Sequence, residues 1–183
     1  MSVSANPAAQ AKAAAGSYVE HLFQTLGTRD PMTVLASTPD AVERSVTGMD
    51  EARLRRPEAA GKWSVLEVVQ HLADSELVCG YRIRMIVSHP TPDIQVYDQD
   101  RWVKELEYGK RTLTDALHEF RSLRESNLRL LGSLGPEKLA RYGHHSERGQ
   151  ESVLQMTKLY AGHDLVHLKQ IERIKQAVRV SGG

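Results

Sequence analysis

Apolar residues recur at helical spacing in four segments of this chain, and no segment shows the sustained alternation of apolar and polar residues typical of a half-buried strand. Ser64 with Glu67, and Ser152 with Gln155, have the spacing of a capping box, in which two side chains satisfy free N–H groups at a helix start. The predicted helices cover residues 39–47, 64–88, 112–131 and 152–178. Four helices with comparable apolar stripes bury one another most simply as a bundle, so the sequence predicts an all-α fold.

Individual residues mark where these helices should begin and end. Thr38 precedes Pro39 as an N-cap precedes a proline at the first helical position, and Gly48 is placed to end that helix. Gly132 is placed as the C-terminal glycine cap of the third helix, which a short turn at about residues 98–105 precedes. The three connections are longer than most helix connections and could cover a site at one end of the bundle: residues 48–63, 89–111 and 132–151.

The length and the ends of the chain suggest one helical domain with short extensions. A chain of 183 residues is typical of a single domain. Its start is rich in alanine but lacks the apolar region and basic start of a secretory signal, so we expect residues 1–29 to form a partly ordered arm. The domain proper is expected over residues 30–178, followed by a flexible C-terminus of residues 179–183.

Charge and composition exclude several classes of partner and of site. The formal net charge is +1, which gives no strong field for nucleic acid or an anionic membrane. No apolar stretch reaches the roughly 18–20 residues of a membrane span. Cys79 is the only cysteine, which excludes an intramolecular disulfide and an all-cysteine zinc site, but the chain has 8 histidines. We therefore expect a cytoplasmic protein in which histidine is the ligand of any metal.

Three histidines fall where one site could form. His163 and His167 are four residues apart, so they share one face of the last helix within an otherwise apolar stripe. His71 lies in the second helix, with Ser75 and Arg82 on or near its face. Two histidines from one helix and one from a neighbour can give a divalent metal three nitrogen ligands and an open position. The alternative is that each histidine is a core residue satisfied by a hydrogen bond, and spacing alone does not decide between the two.

Four segments, in this order along the chain, resemble signatures of the DinB/YfiT-like superfamily. The segments of the second and fourth helices are similar to the family's helical signatures, and two segments between them are similar to its loops. They are Trp63–Glu67 with His71–Glu76, Tyr97–Trp102, His145–Gly149 and Gly162–Ile171. The ordered set is more specific than any one of its members.

The resemblance covers about residues 30–177 and implies both a fold and a metal site. The fold it implies is an up-down four-helix bundle with one long crossover. The site it implies is a single divalent metal held by His71, His163 and His167. Nickel or zinc is the expected ion, with iron, manganese and copper also open because imidazole suits several of these metals.

The resemblance also implies a function, on which the residues themselves leave alternatives open. Characterised relatives include transferases of low-molecular-weight thiols and a mycothiol-dependent maleylpyruvate isomerase, and relatives often form homodimers. We therefore expect a metal-dependent enzyme acting on a small molecule, with thiol S-transfer as the leading reaction. Three neutral imidazoles leave the metal charge uncompensated, which would lower the pKa of a bound water as well as that of a bound thiol. A hydrolase using a metal-bound hydroxide and a non-catalytic, stress-associated metal-binding protein are the alternatives.

Four further residues are candidates for catalysis, each with a second interpretation. Asp74 and Asp164 could orient the ring of a metal ligand, or they could be solvated helix carboxylates. His145 and Arg148 could fold over the metal and bind an anionic substrate, but their polar loop favours exposure to solvent.

The segment before the third helix supplies candidate substrate contacts. The resemblance brings it to the mouth of the site, although its aspartates could instead cap the helix. The candidates are Tyr97, Asp98, Asp100 and Trp102. Three nearby residues receive structural roles: Glu67 is expected to complete the capping box, Trp63 to anchor packing, and Cys79 to lie in the core.

Overall fold

The computed structural model describes residues 7–180, and for residues 7–12 and 180 the backbone alone. The helices are α1 (Pro7–Leu26), α2 (Pro31–Val46), α3 (Glu51–Arg55), α4 (Val65–Ser88), α5 (Gln99–Glu105), α6 (Leu113–Ser133), α7 (Pro136–Ala140) and α8 (Val153–Val180). A 3₁₀ turn (Tyr108–Lys110) and strands β1 (Asp93–Ile94), β2 (Tyr142–His145) and β3 (Gly149–Ser152) complete the described chain. No helix in this part of the chain is both long and apolar enough to cross a membrane.

Helices α2, α4, α6 and α8 form the four-helix bundle, which confirms the predicted fold class. Both α2 and α4 pack against α6 and against α8, so α2 lies diagonally opposite α4. Two apolar clusters fill the interior. One includes Val69 and Ile171, and the other includes Ile83 and Met156.

A layer of buried polar residues separates the two apolar clusters. Every helix of the bundle contributes to this polar layer. Along α2, α6 and α8 its residues lie between the buried residues of one cluster and those of the other, whereas on α4 His71 lies within the stretch of the first cluster. Its members are Thr38 of α2, His71, Ser75 and Glu76 of α4, Arg124 and Asn127 of α6, and His163, Asp164 and His167 of α8. Because buried polar groups are costly unless they are paired, this layer is where the fold concentrates its polar interactions.

Helix α2 begins eight residues earlier than predicted. Asp30 is its N-cap, accepting a hydrogen bond from the Thr33 N–H, and Pro31 occupies the first turn. The same pattern of a cap and a proline predicts a helix start at Thr38 and Pro39, and that prediction is wrong because Pro39 lies inside the helix. The two sites look alike in sequence, and only the upstream packing of α2 shows which one begins the helix.

The other long helices match their predicted positions. Ser64 and Glu67 form the capping box of α4. At the start of α8, the Gln155 side chain accepts from the Ser152 backbone N–H, and the Ser152 hydroxyl accepts from the Gln155 backbone N–H. Helix α6 continues to Ser133, so Gly132 lies within its last turn and is not the cap. The turn expected at residues 98–105 is the short helix α5.

The long connections contain a small sheet that the sequence did not predict. Strand β1 pairs with β2 in parallel, with Ile94 opposite His145, and β2 pairs with β3 as an antiparallel hairpin. Strands of two to four residues are too short for an alternating pattern to stand out. The sheet ties residues 93–94 to the hairpin before α8 and so orders both connections.

Helix α1 lies in the segment predicted to be a partly ordered arm. It packs against α8 and buries Leu22 and Leu26. Gly162 of α8 allows this approach, because a Cβ there would lie 2.4 Å from the Leu22 carbonyl oxygen. The first six residues of the arm and residues 181–183 of the predicted flexible end lie outside the described residues. The boundary at residue 30 stays a prediction.

Candidate metal centre

The structure brings His71, His163 and His167 together in the polar layer. The Nε2 atom of His163 lies 3.0 Å from that of His71 and 3.0 Å from that of His167. All three side chains are buried, and each offers a nitrogen within 4.8 Å of the others. His71 comes from α4 and the other two from α8, as the spacing predicted.

Burial keeps the three imidazoles neutral. It lowers the pKa of His71 and of His163 well below the ordinary value, and it lowers the pKa of His167 to about 4. The Oε1 atom of Gln170 lies 2.7 Å from Nδ1 of His167 and accepts its proton there. The Nε2 lone pair of His167 therefore faces the other two histidines, which is the tautomer that a metal ligand needs.

The residues present fit a divalent metal. Four-coordinate zinc at about 2.0–2.1 Å from each nitrogen places neighbouring ligand nitrogens about 3.3 Å apart, close to the observed 3.0 Å. Neutral imidazoles so close can form only some of the hydrogen bonds that buried nitrogens require. Among the described residues, Nδ1 of His163 has no hydrogen-bond partner at all. A cation would satisfy the converging lone pairs that the histidines cannot satisfy among themselves.

Trp63 forms one wall of this histidine cluster. Its ring stacks nearly parallel to that of His167, with centroids 6.4 Å apart, and packs at a tilt against His71 at 4.9 Å. The indole N–H donates to Asp100 at 3.0 Å. The predicted packing role of Trp63 agrees with these contacts, and Asp100 is hydrogen-bonded to the indole that packs on the cluster.

A pocket of about 210 Å³ opens beside His163. Its walls come from α1, α4, the segment before α5, the β2–β3 hairpin and α8. The lining includes Tyr18, Ser75, Arg82, Tyr97, His145, Arg148 and Tyr160. The Ser75 hydroxyl lies 3.3 Å from Nε2 of His71 and 3.3 Å from the Tyr97 hydroxyl, so it links the pocket wall to the histidines.

The expectation that His145 is exposed to solvent is wrong. His145 is buried and lines the pocket together with Arg148, whereas the neighbouring His144 is exposed. Pairing of β2 with β1 turns His145 inward, and this long-range contact leaves no local sequence signal. Burial lowers the pKa of His145 to about 4, and Arg148 donates from Nη2 to Glu151 at 2.8 Å.

Neither candidate aspartate contacts a histidine ring through a hydrogen bond in the described structure. Asp164 is buried and accepts from both terminal nitrogens of Arg124, at 2.7 and 3.0 Å. Asp74 is half-buried and accepts from the Tyr108 hydroxyl. Burial raises the pKa of both carboxyl groups. Both interpretations made from the sequence are therefore wrong for Asp164, which points towards α6.

A charged network in the polar layer was not predicted from the sequence. The Arg124 guanidinium donates from Nη2 to Glu76 at 2.9 Å as well as to Asp164. The Asn127 amide donates to the Glu76 carboxylate at 2.9 Å. The one signal for this network was an arginine and an asparagine on the otherwise apolar face of α6.

The remaining candidates have structural contacts. Asp98 caps α5 by accepting from the Arg101 N–H, and Trp102 packs on the Tyr97 ring with centroids 4.6 Å apart. Of the four candidate substrate contacts, Tyr97 is the one among the pocket-lining residues. Glu67 completes the capping box as predicted. Cys79 is buried, and its burial raises the pKa of the thiol, in agreement with a core role.

Comparison with known proteins identifies the family. The sequence model of the DinB superfamily matches residues 35–171. The chain belongs to the DinB superfamily. The match includes all three clustered histidines, and it leaves α1 outside because it begins at Leu35.

Two relatives of this DinB-superfamily protein carry the name "Putative metal-dependent hydrolase". One, from Bacillus mycoides (strain KBAB4), is 28% identical over 138 residues, covering 75% of this chain and 79% of the relative. The other, from Bacillus cereus (strain 03BB102), has the same identity and coverage. The structure is also similar to that of YfiT from Bacillus subtilis, described as "a probable metal-dependent hydrolase with an unusual four-helix bundle topology". That match has a TM-score of 0.72 and 24% identity over 78% of this chain and 84% of YfiT, so it supports the fold.

Proposed function

We propose that this protein is a metal-dependent hydrolase of small molecules, with His71, His163 and His167 as the protein ligands of one divalent ion. The observation that carries the proposal is the convergence of three buried, neutral imidazoles, of which His163 lines the pocket. Three protein ligands are typical of catalytic sites, because a position stays free for water or substrate. A divalent ion in such a site lowers the pKa of water and polarises a substrate carbonyl.

The chain's own residues prepare the site for that chemistry. Gln170 holds the proton of His167 at Nδ1, which keeps its Nε2 available as a ligand. Trp63 covers His71 and His167 and excludes water from that side. The hydroxyls of Ser75 and Tyr97 face the pocket side and can orient a polar substrate atom by donating or accepting hydrogen bonds.

Hydrolysis is preferred to the thiol S-transfer predicted from the sequence. The relatives named above are hydrolases by name, and this supports the hydrolytic alternative. Thiol transfer stays a prediction that the same histidines would permit. A non-catalytic metal store is less well supported, because the pocket reaches His163 and gives a substrate access to the cluster.

The first experiment measures metal and activity together in untagged protein. We expect about one zinc or nickel ion per chain in the wild type. His163→Ala should lose the ion, and His118→Ala should keep it, since His118 is exposed on α6. Hydrolysis of a panel of 4-nitrophenyl esters should follow metal content and should need no added thiol.

Two results would contradict this proposal. Metal content that is the same in His163→Ala and in the wild type would return the histidines to a packing role. Turnover of electrophiles that requires a low-molecular-weight thiol, with no ester hydrolysis in its absence, would favour the transferase prediction instead.

A further inference from the structure

Arg82 lies on the pocket side of α4, at the end of the face that begins with His71. The two residues are eleven positions apart, which corresponds to about 16 Å along a helix axis. Ser75 lies between them on the same face. The Arg82 side chain lines the pocket although the residue is only 6% exposed.

The Arg82 guanidinium is buried, and no carboxylate of the described residues lies within ion-pair distance of it. Its Nη2 donates to the Gln95 carbonyl oxygen, and its Nε has no hydrogen-bond partner among the described residues. The guanidinium also packs over the Tyr97 ring, whose centroid lies 5.8 Å from the guanidinium carbon. None of the ion pairs in the described chain includes Arg82. A buried cation without a partner is strongly unfavourable, so this position suits an incoming anion.

The charges around the pocket do not provide that anion. Arg148 is paired with Glu151, so this pair adds no net charge to the lining. Glu147 lines the mouth but is exposed, where water screens its carboxylate. The carboxylates of the polar layer, Glu76 and Asp164, lie within ion-pair distance of Arg124 and not of Arg82. Among the described residues, Arg82 therefore has no carboxylate within ion-pair distance in the pocket wall.

His145 adds a neutral donor to the same pocket. Its Nδ1 accepts hydrogen bonds from the backbone N–H groups of Glu147 and Arg148, at 3.2 and 3.3 Å. In a neutral imidazole the proton must then be on Nε2, which can donate to a ligand. The lining also includes the apolar and aromatic side chains of Met156, Leu159 and Tyr160.

We propose that Arg82 forms a carboxylate-binding subsite and that the substrates are small carboxylic acids with an apolar or aromatic body. The guanidinium fork matches a carboxylate in charge and in shape. A single guanidinium suits a monoanion better than a doubly charged phosphate ester. The apolar body would fill the pocket and bring the reactive bond towards His163. The proposal names the substrate class of the proposed hydrolase and in that respect rests on it, but the subsite can be tested without metal.

The test compares an acid with its neutral isostere in the full chain after metal removal by a chelator. The probes are 3-phenylpropanoate and 3-phenylpropanamide, and ligand-observed NMR titration measures their dissociation constants. We expect the wild type to bind the acid at least about 10-fold more tightly than the amide, as a charge-assisted contact would give. Arg82→Gln should remove this preference.

Arg101→Gln is the matched control, because it removes the same charge from an exposed position on α5. It should keep the preference for the acid. Arg82→Lys should reduce the preference without abolishing it, since lysine keeps the charge but loses the fork. If Arg82→Gln does not fold, the wild-type ratio and Arg82→Lys decide the question.

Equal affinity for acid and amide in the wild type, or no binding of either, would overturn the subsite. So would an unchanged preference in Arg82→Gln. Repeating the titration with His163→Ala separates the two proposals. A retained preference in that metal-deficient variant would support the subsite even where the hydrolase proposal had failed.

Discussion

His71, His163 and His167 remain neutral because the bundle interior excludes the water that would solvate an imidazolium. His118 and His144, in contrast, are exposed to solvent. Arg82 and Arg124 show the corresponding contrast for arginine. Arg124 is buried with two carboxylates, whereas Arg82 is buried with none within ion-pair distance among the described residues. Burial and partners, more than residue type, set the chemistry of each side chain.

The lowered histidine pKa values predict that the metal-free protein loses stability in acid. Their folded-state pKa values lie below 6.5, so as the pH falls the unfolded chain binds protons before the folded chain does. The free energy of unfolding should therefore decrease from pH 6.5 towards about 4, the folded-state pKa of His167. Each such histidine contributes a slope of about 1.4 kcal/mol per pH unit. Urea unfolding at several pH values, with chelator present, measures the slope.

Two variants identify the histidines responsible for this slope. His163→Ala should reduce it by about the contribution of one proton. His118→Ala should leave it unchanged, because the His118 ring is exposed and lies outside the histidine cluster. A slope in His163→Ala equal to that of the wild type would contradict the assignment.

At the level of elements, a proline within α2 leaves a backbone carbonyl without its helical hydrogen bond, and α6 supplies the missing donor. Pro39 has no N–H to give to the carbonyl of Leu35, four residues earlier. That carbonyl oxygen accepts a hydrogen bond from Nη1 of Arg124 at 2.6 Å. A proline that would weaken an isolated helix thus leaves an acceptor for the buried arginine of α6.

The crossing of α1 and α8 gives a prediction for Gly162. Alanine there would place its Cβ 2.4 Å from a backbone oxygen of Leu22, which cannot move aside as a side chain could. We expect Gly162→Ala to destabilise the protein by about 1–3 kcal/mol by displacing α1. Guanidinium unfolding provides the measurement.

Gly16→Ala is the control for this substitution. Gly16 lies in α1, and a Cβ added there would meet no atom within 4 Å, so alanine should add up to about 1 kcal/mol through helix propensity. Destabilisation by both variants would show that replacing glycine by alanine in these helices is itself unfavourable. The close crossing of α1 and α8 would then not be the cause. No loss in Gly162→Ala would show that α1 does not pack closely on α8.

In the whole molecule, the polar layer links the bundle helices between two apolar clusters. Arg124 of α6 contacts α2 through the Leu35 carbonyl, α4 through Glu76 and α8 through Asp164. Asp164 directly follows His163, so the network fixes the part of α8 that carries the metal candidates. The fold places its charged network next to its histidine cluster, although no hydrogen bond among the described residues joins Asp164 to a histidine.

Removing Arg124 should therefore destabilise the whole bundle. Arg124→Met would leave the carboxylates of Glu76 and Asp164 buried without their cation, at a cost of about 3–5 kcal/mol. Arg121→Met is the matched control on the same helix, because Arg121 pairs with the exposed Asp40 and Glu43. It should change the free energy of unfolding by about 1 kcal/mol or less. Equal effects in the two variants would contradict a central role for Arg124.

Elements whose causes are local could be predicted from the sequence. Capping boxes and apolar stripes placed α4, α6 and α8 because helix formation depends on residues three and four positions apart. The same spacing put His163 and His167 on one face, and the ordered motifs added His71. A cap followed by proline occurs twice near α2, and this local ambiguity produced the one long helix with a wrong start.

The burial of polar groups and their contacts followed from tertiary packing alone. His145 turns inward because β1 pairs with β2, about fifty residues away along the chain. Asp164 meets Arg124, forty residues earlier in the sequence, and Arg82 faces a pocket closed by α1. Burial and charge pairing depend on which distant segments pack together, and that information is absent from local spacing.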